Sequence, residues 1–189
     1  MESETLAKLM EGNRRYVEGL TSQKDLKGKR EETKTGQHPL ATVICCSDSR
    51  VVPEYIFDTN LGEIFTIANA GNIVSDIDIG SAEYGVGHLH TPLLIVMGHE
   101  KCGAVTAAYD GHDESKITKI VKKIAPCVNK VKKGGERTSE IEQAVVANVK
   151  AVMRKLKKSP IVKKALDEDR VKIIGMKYYF DGRIEVISK

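Results

Sequence analysis

Apolar residues recur at three- and four-residue steps through Leu6, Leu9, Met10, Tyr16, Val17 and Leu20, with Asn13 in the same register. This spacing predicts an amphipathic N-terminal helix whose apolar stripe needs cover, from its own subunit or from a second one. Residues 21–38 are polar without periodicity and read as a loop, with Gly36-Gln37-His38-Pro39 turning into the first strand. Short apolar runs at 41–46, 63–68 and 93–97 predict buried strands. Helix patterns follow at 53–58, where Pro53 sits in the first turn, at about 76–90, and at 103–109 with Gly111 as its stop. Two longer amphipathic helices are expected at about 114–133 and 139–158, separated by Gly134-Gly135. Val171–Phe180 and Arg183–Ile187 read as two strands joined by Asp181-Gly182, a strong hairpin signal. Strands alternating with helices predict an α/β fold: a central, mostly parallel β-sheet flanked by helices, an antiparallel C-terminal edge strand and an extended N-terminal helical arm. Residues 1–38 are the arm and loop, and 39–189 the α/β domain.

Composition narrows the class. A chain of 189 residues fits one domain with a substantial core. Its 41% hydrophobic and 30% charged residues are those of an ordinary globular protein rather than a disordered one. The net charge of +4 is modest, and the lysines of the later half read as solvated helix faces. No aromatic interleaving or recognised motif points to nucleic acid. No apolar run is long enough to span a bilayer and no basic-then-apolar leader is apparent, so a cytoplasmic protein without a membrane partner is expected. Four cysteines without a CxxC pair do not form a disulfide framework. Cys127 reads as a helix residue. Cys45 should face the core, opposite to its neighbour Cys46.

The chemistry lies in Cys46-Ser-Asp48-Ser-Arg50 and, some fifty residues further on, His99-Glu-Lys-Cys102. Two thiols and an imidazole are a soft ligand set suited to Zn²⁺, and three ligands leave a tetrahedral ion one open position. Both groups follow apolar runs, and open α/β sheets bind ligands at strand carboxyl ends. His99 and Cys102 are three apart, a spacing that places both on one face of an opening helical turn. Gly98 and Gly103 are expected to relax the backbone where it approaches the metal. Asp48 could accept a hydrogen bond from a zinc-bound water while Arg50 keeps it ionised and oriented. Asp48 could instead be a fourth ligand, closing the metal. The residues allow both.

With these motifs the chain resembles the β-class carbonic anhydrases. The likeness runs from Leu9–Gly19 through Cys46–Glu54 and Asn69–Val74 to Gly98–Gly103. It implies one Zn²⁺ per subunit on Cys46, His99 and Cys102, and a catalytic dyad of Asp48 and Arg50. The implied reaction is reversible hydration of CO₂ to bicarbonate and a proton, by attack of a zinc-bound hydroxide. It also implies a homodimer or higher homo-oligomer, with a small substrate pocket built partly across the interface. Gln37, Phe65 and Tyr84 stand at the spacings of pocket residues in plant-type members, and Gly103 is expected beside the substrate. Some bacterial members hold an inhibitory bicarbonate with a tryptophan and an arginine and switch the aspartate onto the metal. Val43 and Ala68 stand at those positions here, so the open form, with Asp48 paired to Arg50, is expected near neutral pH. His38, His88 and His90 are proton-shuttle candidates by residue type alone. Carbonyl sulfide or carbon disulfide hydrolysis on the same site, or a non-catalytic zinc-binding regulatory module, are the competing functions.

Overall fold

The computed structural model describes residues 2–188. Its strands are β1 (Ala41–Cys46), β2 (Ile64–Asn69), β3 (Leu93–His99), β4 (Lys172–Tyr178) and β5 (Ile184–Ser188). Its helices are α1 (Glu2–Val17), α2 (Leu26–Glu32), α3 (Pro53–Ile56), α4 (Asp76–Gly87), α5 (Gly103–Asp110), α6 (Ile117–Val131), α7 (Arg137–Leu156) and α8 (Pro160–Asp167). The sheet order is β2-β1-β3-β4-β5, parallel throughout except for the final β4–β5 pair. β1 and β3 are buried at every position, which is why they read as continuous apolar runs rather than alternating ones. Among the described residues no helix is long and apolar enough to cross a membrane.

Alternation along β1 assigns its residues to opposite faces. Val43 and Cys45 pack with Ile95, Met97 and Met176 against Leu9 of α1 and Ile56 of α3. Ile44 turns to the other face, toward α4, α7 and α8, while Cys46 packs among α5, α6 and α7. Cys45 and Cys46 therefore belong to different cores. Helix α7 lies close against the sheet because Gly98 and Gly175 leave room for it. A Cβ on Gly98 would stand 2.8 Å from Val149 Cγ2, and one on Gly175 2.7 Å from Met153 Sδ. Gly98 thus serves helix packing rather than the approach to a metal.

Helix α1 packs part of its apolar stripe on its own subunit. Leu9 is fully buried in the β1–β3 core. The buried Asn13 side chain donates to Ile56 O (3.1 Å) and Gly182 O (2.8 Å) and accepts from Ile184 N (3.2 Å). Leu20 falls beyond the helix end and is exposed. The segment 21–38, expected as loop throughout, contains α2. That helix buries no residue, so no hydrophobic period announces it; an Asp25 cap on Gly28 N (2.8 Å) and a Lys29–Glu32 ion pair hold it instead. Helix α8 also stands outside the elements expected above. Ser159 caps it through Val162 N, and Pro160 opens its first turn. The β4–β5 hairpin turns where Asp181-Gly182 predicts, with Gly182 at φ +95°.

Asp58 fastens this N-terminal half. Its side chain has no exposure and meets Arg15 Nε at 2.6 Å, Lys24 Nζ and the Ser22 amide at 3.1 Å. Burial alone would raise its carboxyl, but Lys24, Arg15 and Ser22 outweigh that and hold it well below the usual carboxylate range. A depressed folded-state pKa contributes stability above the ordinary carboxylate range and loses it as pH falls. Asp58→Ala should lower unfolding stability by on the order of 3 kcal/mol at pH 7. In urea titrations the gap to wild type should narrow as pH drops below about 4.

Candidate metal centre

β1 and β3 run side by side in parallel and end at Cys46 and His99. The chain then turns through Glu100 and Lys101 to Cys102, which precedes α5. Cys46 Sγ, Cys102 Sγ and a His99 ring nitrogen all lie within 4.8 Å of one another, and all three residues are buried. His99 and Cys102 do not share the helical turn that their spacing predicts. Cys102 is extended (φ −65°, ψ 117°) and Lys101 is left-handed at φ +52°, so a tight turn brings them together.

The His99 ring is fixed from behind. Its Nδ1–H donates to the Glu100 carbonyl at 2.8 Å, since a carbonyl only accepts, and this leaves Nε2 with its lone pair. Nε2 is buried and has no hydrogen-bond partner in the structure. A buried acceptor left alone beside two sulfurs fits a metal, and the donor set suits Zn²⁺. Cys46 also accepts a hydrogen bond from Gly71 N at 3.3 Å. Cys102, then His99 and the Gly71 and Asp48 amides, draw the Cys46 thiol below its ordinary range against the opposing effect of burial. The same contact with Cys46, together with burial, pushes Cys102 up. Cys45, on the opposite face, is pushed by burial up to about 12.

Asp48 stands at the edge of this group, its Oδ2 4.0 Å from His99 Nε2. Arg50 holds both carboxylate oxygens, through Nε to Oδ1 at 2.9 Å and Nη2 to Oδ2 at 2.8 Å, and adds its own amide to Oδ1 at 3.0 Å. This clamp keeps the Asp48 carboxyl well below the usual carboxylate range. Arg50 is itself placed by Phe180, whose ring centroid lies 3.8 Å from the guanidinium carbon. Phe180 N in turn donates to Glu100 Oε1 at 2.6 Å, and the Phe180 ring lies 5.6 Å from that of His99. Glu100 therefore supports the centre twice, by its carbonyl and by its carboxylate.

The motif reading missed Phe180, Glu100 and Gly71 as parts of the centre. Gly71 carried a signal, in the Asn69-Ala-Gly-Asn72 turn. At φ +78° it carries the amide that meets Cys46, and a Cβ there would stand 2.9 Å from Ala104 Cβ. Its carbonyl accepts from Asn148 Nδ2 of α7 at 2.9 Å. Gly103, by contrast, is exposed, with open space around its α-carbon.

Gln37, Phe65 and Tyr84 come together with one another but not with the metal group of their own subunit. The Phe65 and Tyr84 rings are 6.0 Å apart, and Gln37 and Tyr84 border one open groove of about 740 Å³. Phe65 pairs with Thr42, whereas Cys46 pairs with Asn69 four positions along, roughly 13 Å away at the usual strand rise. His38 borders the same groove, His88 stacks on Tyr84 (5.2 Å), and His90 borders a cavity beside Leu40 and Pro92, at the starts of the strands.

The fold and this site define an α/β protein with a Cys–His–Cys group fit for a metal at the carboxyl ends of two parallel strands. The carbonic anhydrase family model matches residues 41–183. The carbonic anhydrase of Mycolicibacterium smegmatis is 34% identical over 188 residues, spanning 95% of this chain and 90% of that protein. The β-carbonic anhydrase of Coccomyxa, solved in complex with acetazolamide, superposes with a TM-score of 0.80 at 27% identity, over 97% of this chain and 86% of that one. One of two tetrameric β-carbonic anhydrases from Sordaria macrospora superposes with a TM-score of 0.77 at 24% identity, over 85% of this chain and 90% of that one, a likeness of fold. The chain belongs to the β-carbonic anhydrase family of enzymes.

Gly71→Ala should force a left-handed alanine against Ala104 and Ile124 and pull the amide from Cys46. A loss of about 2 kcal/mol or more in unfolding stability is expected. Zinc content after purification should fall with it, as measured by atomic absorption.

Proposed function

We propose that this protein catalyses the reversible hydration of CO₂ to bicarbonate and a proton, using one Zn²⁺ per subunit held by Cys46, His99 and Cys102. The observation that carries the reading is the buried, unpartnered His99 Nε2 between two sulfurs, with the Arg50-clamped Asp48 beside it. A zinc ion there supplies a Lewis acid that makes water a nucleophile near neutral pH. Asp48, standing beside the group, would accept a hydrogen bond from a water there and would orient it toward CO₂. Arg50 keeps Asp48 ionised and directed, and Phe180 keeps Arg50 flat against the site. With both carboxylate oxygens engaged by Arg50, we read Asp48 as the orienting base and not as a fourth ligand near pH 7. The ligand thiols stay reduced in the cytoplasm, where we place the protein.

We further infer that the active unit is a homodimer or a larger homo-oligomer. Gln37, Phe65 and Tyr84 lie too far from their own Cys46 to serve it, and Tyr84 and Leu61 are exposed beside their groove. This supports their acting on a partner subunit's metal site, where Gln37 would donate to a substrate oxygen and the two rings would wall the pocket.

Stopped-flow CO₂ hydration, with zinc measured on the same sample, tests the reading. Asp48→Ala should keep zinc and lose at least about a hundredfold in kcat/KM. Loss of the metal instead would make Asp48 a ligand, and no hydration by zinc-loaded wild type would end the proposal. Carbonyl sulfide assayed in parallel separates the substrates. Subunit sharing predicts that mixing Asp48→Ala with Tyr84→Ala protein, each weak alone, restores part of the activity after subunit exchange. Sedimentation at the assay concentration should show no active monomer.

A further inference from the structure

The turn between the two later ligands has a support that the catalytic reading does not use. Lys101 reverses the chain at φ +52°, a conformation that a side chain bearing a Cβ occupies at a penalty of about 1 kcal/mol or more. Such a residue persists where its surroundings over-determine it. Here the surroundings are a carboxylate: Lys101 N donates to Glu142 Oε1 at 2.8 Å, across forty-one residues, from turn to helix α7. The other oxygen of Glu142 faces Lys177 Nζ at 2.7 Å, close enough for an ion pair without the alignment of a hydrogen bond. Lys177 lies in β4 opposite Gly98, the residue before His99, and its side chain is only 8% exposed. Its ammonium also lies 4.6 Å from the Tyr179 ring centroid.

A buried ammonium needs a counter-charge in a fixed place. Lys177 therefore holds Glu142, and Glu142 holds the Lys101 amide. Burial alone would lower Lys177, but Glu142 and Tyr179 outweigh it and keep the lysine charged. From the other side of the turn, Glu100 N donates to Tyr178 O at 3.0 Å. Two of the three peptides between His99 and Cys102 are thus pinned, from opposite sides.

We propose that Glu142 is a positioning residue for the metal centre, setting the separation of His99 and Cys102 through the Lys101 amide, with Lys177 as its buried anchor. The inference rests on the reading of Cys46, His99 and Cys102 as a zinc site. Without the acceptor, Lys101 is free to leave the left-handed region, and the two ligands sample separations that fit the ion poorly.

The test compares wild type with Glu142→Gln, Glu142→Ala and Lys177→Met in three measurements. These are zinc affinity by chelator competition, the visible spectrum of the cobalt(II)-substituted protein, and Lys101 amide exchange in the metal-free protein by NMR. Glu142→Ala should weaken zinc binding about 10- to 100-fold, as loss of outer supports of metal ligands does. It should also shift the cobalt ligand-field bands and speed Lys101 exchange. Glu142→Gln keeps an oxygen acceptor and should stay within a few-fold of wild type. Lys177→Met should fall between them, and it carries the test if Glu142→Ala does not fold. Wild-type affinity and cobalt spectrum in Glu142→Ala, alongside a lowered melting temperature, would reduce the pair to a strut between α7 and β4 and overturn the proposal. If wild type itself binds no zinc, the zinc reading fails. Lys101 exchange, measured without metal, then still decides whether Glu142 holds the turn.

Discussion

Two sulfurs and an imidazole nitrogen crowded within 4.8 Å in a buried place are the constraint around which the rest of the chain is arranged. Two thiolates side by side repel, and an unpaired ring nitrogen away from water is costly. A shared proton or a cation relieves both. The opposed directions in which Cys46 and Cys102 are pushed, one down and the other up, come from their contact. A parallel sheet is a natural way to impose such crowding, because neighbouring strands end together at the same edge. Adjacent β1 and β3 bring residues far apart in sequence to one point, and neither strand has a side chain exposed to water.

Helix α7 turns that crowding into a defined site. Two glycines let it lie close against β3 and β4. From this seat Asn148 holds the Gly71 carbonyl, so that the Gly71 amide faces Cys46. One and a half turns earlier, Glu142 reaches the Lys101 amide. A single rigid element thus grips both loops that surround the ligands. The Asp48–Arg50 pair is supported through Phe180 and Glu100, and Glu100 also fixes the His99 ring, so the carboxylate and the Cys–His–Cys group share one support outside α7.

What was legible in the sequence follows from what leaves a period or a motif. The buried strands were, because apolar runs bounded by turns allow few other fates, and so was the gathering of Cys46, His99 and Cys102, whose residue types and positions after two strands carry their own chemistry. Helix α2 was not, since it buries nothing and is held by a cap and ion pairs. The supports of the site were hidden for another reason. Phe180, Glu142 and Asn148 are ordinary residues in their own segments, and they acquire meaning only when the sheet brings them to the turn they support. Gln37, Phe65 and Tyr84 show the converse. Their grouping was foreseeable by likeness, but their distance from Cys46 became visible only once register placed Phe65 beside Thr42.

The glycine at position 98 has a consequence beyond packing. Because Gly98 lets α7 touch the backbone of β3 one residue before His99, the histidine inherits its position from the packing of Val145 and Val149 against that strand. The place of His99 is therefore tied to the packing of the core. A substitution at Gly98 would therefore be felt at His99 as well as in the core, since the same close approach of α7 serves both.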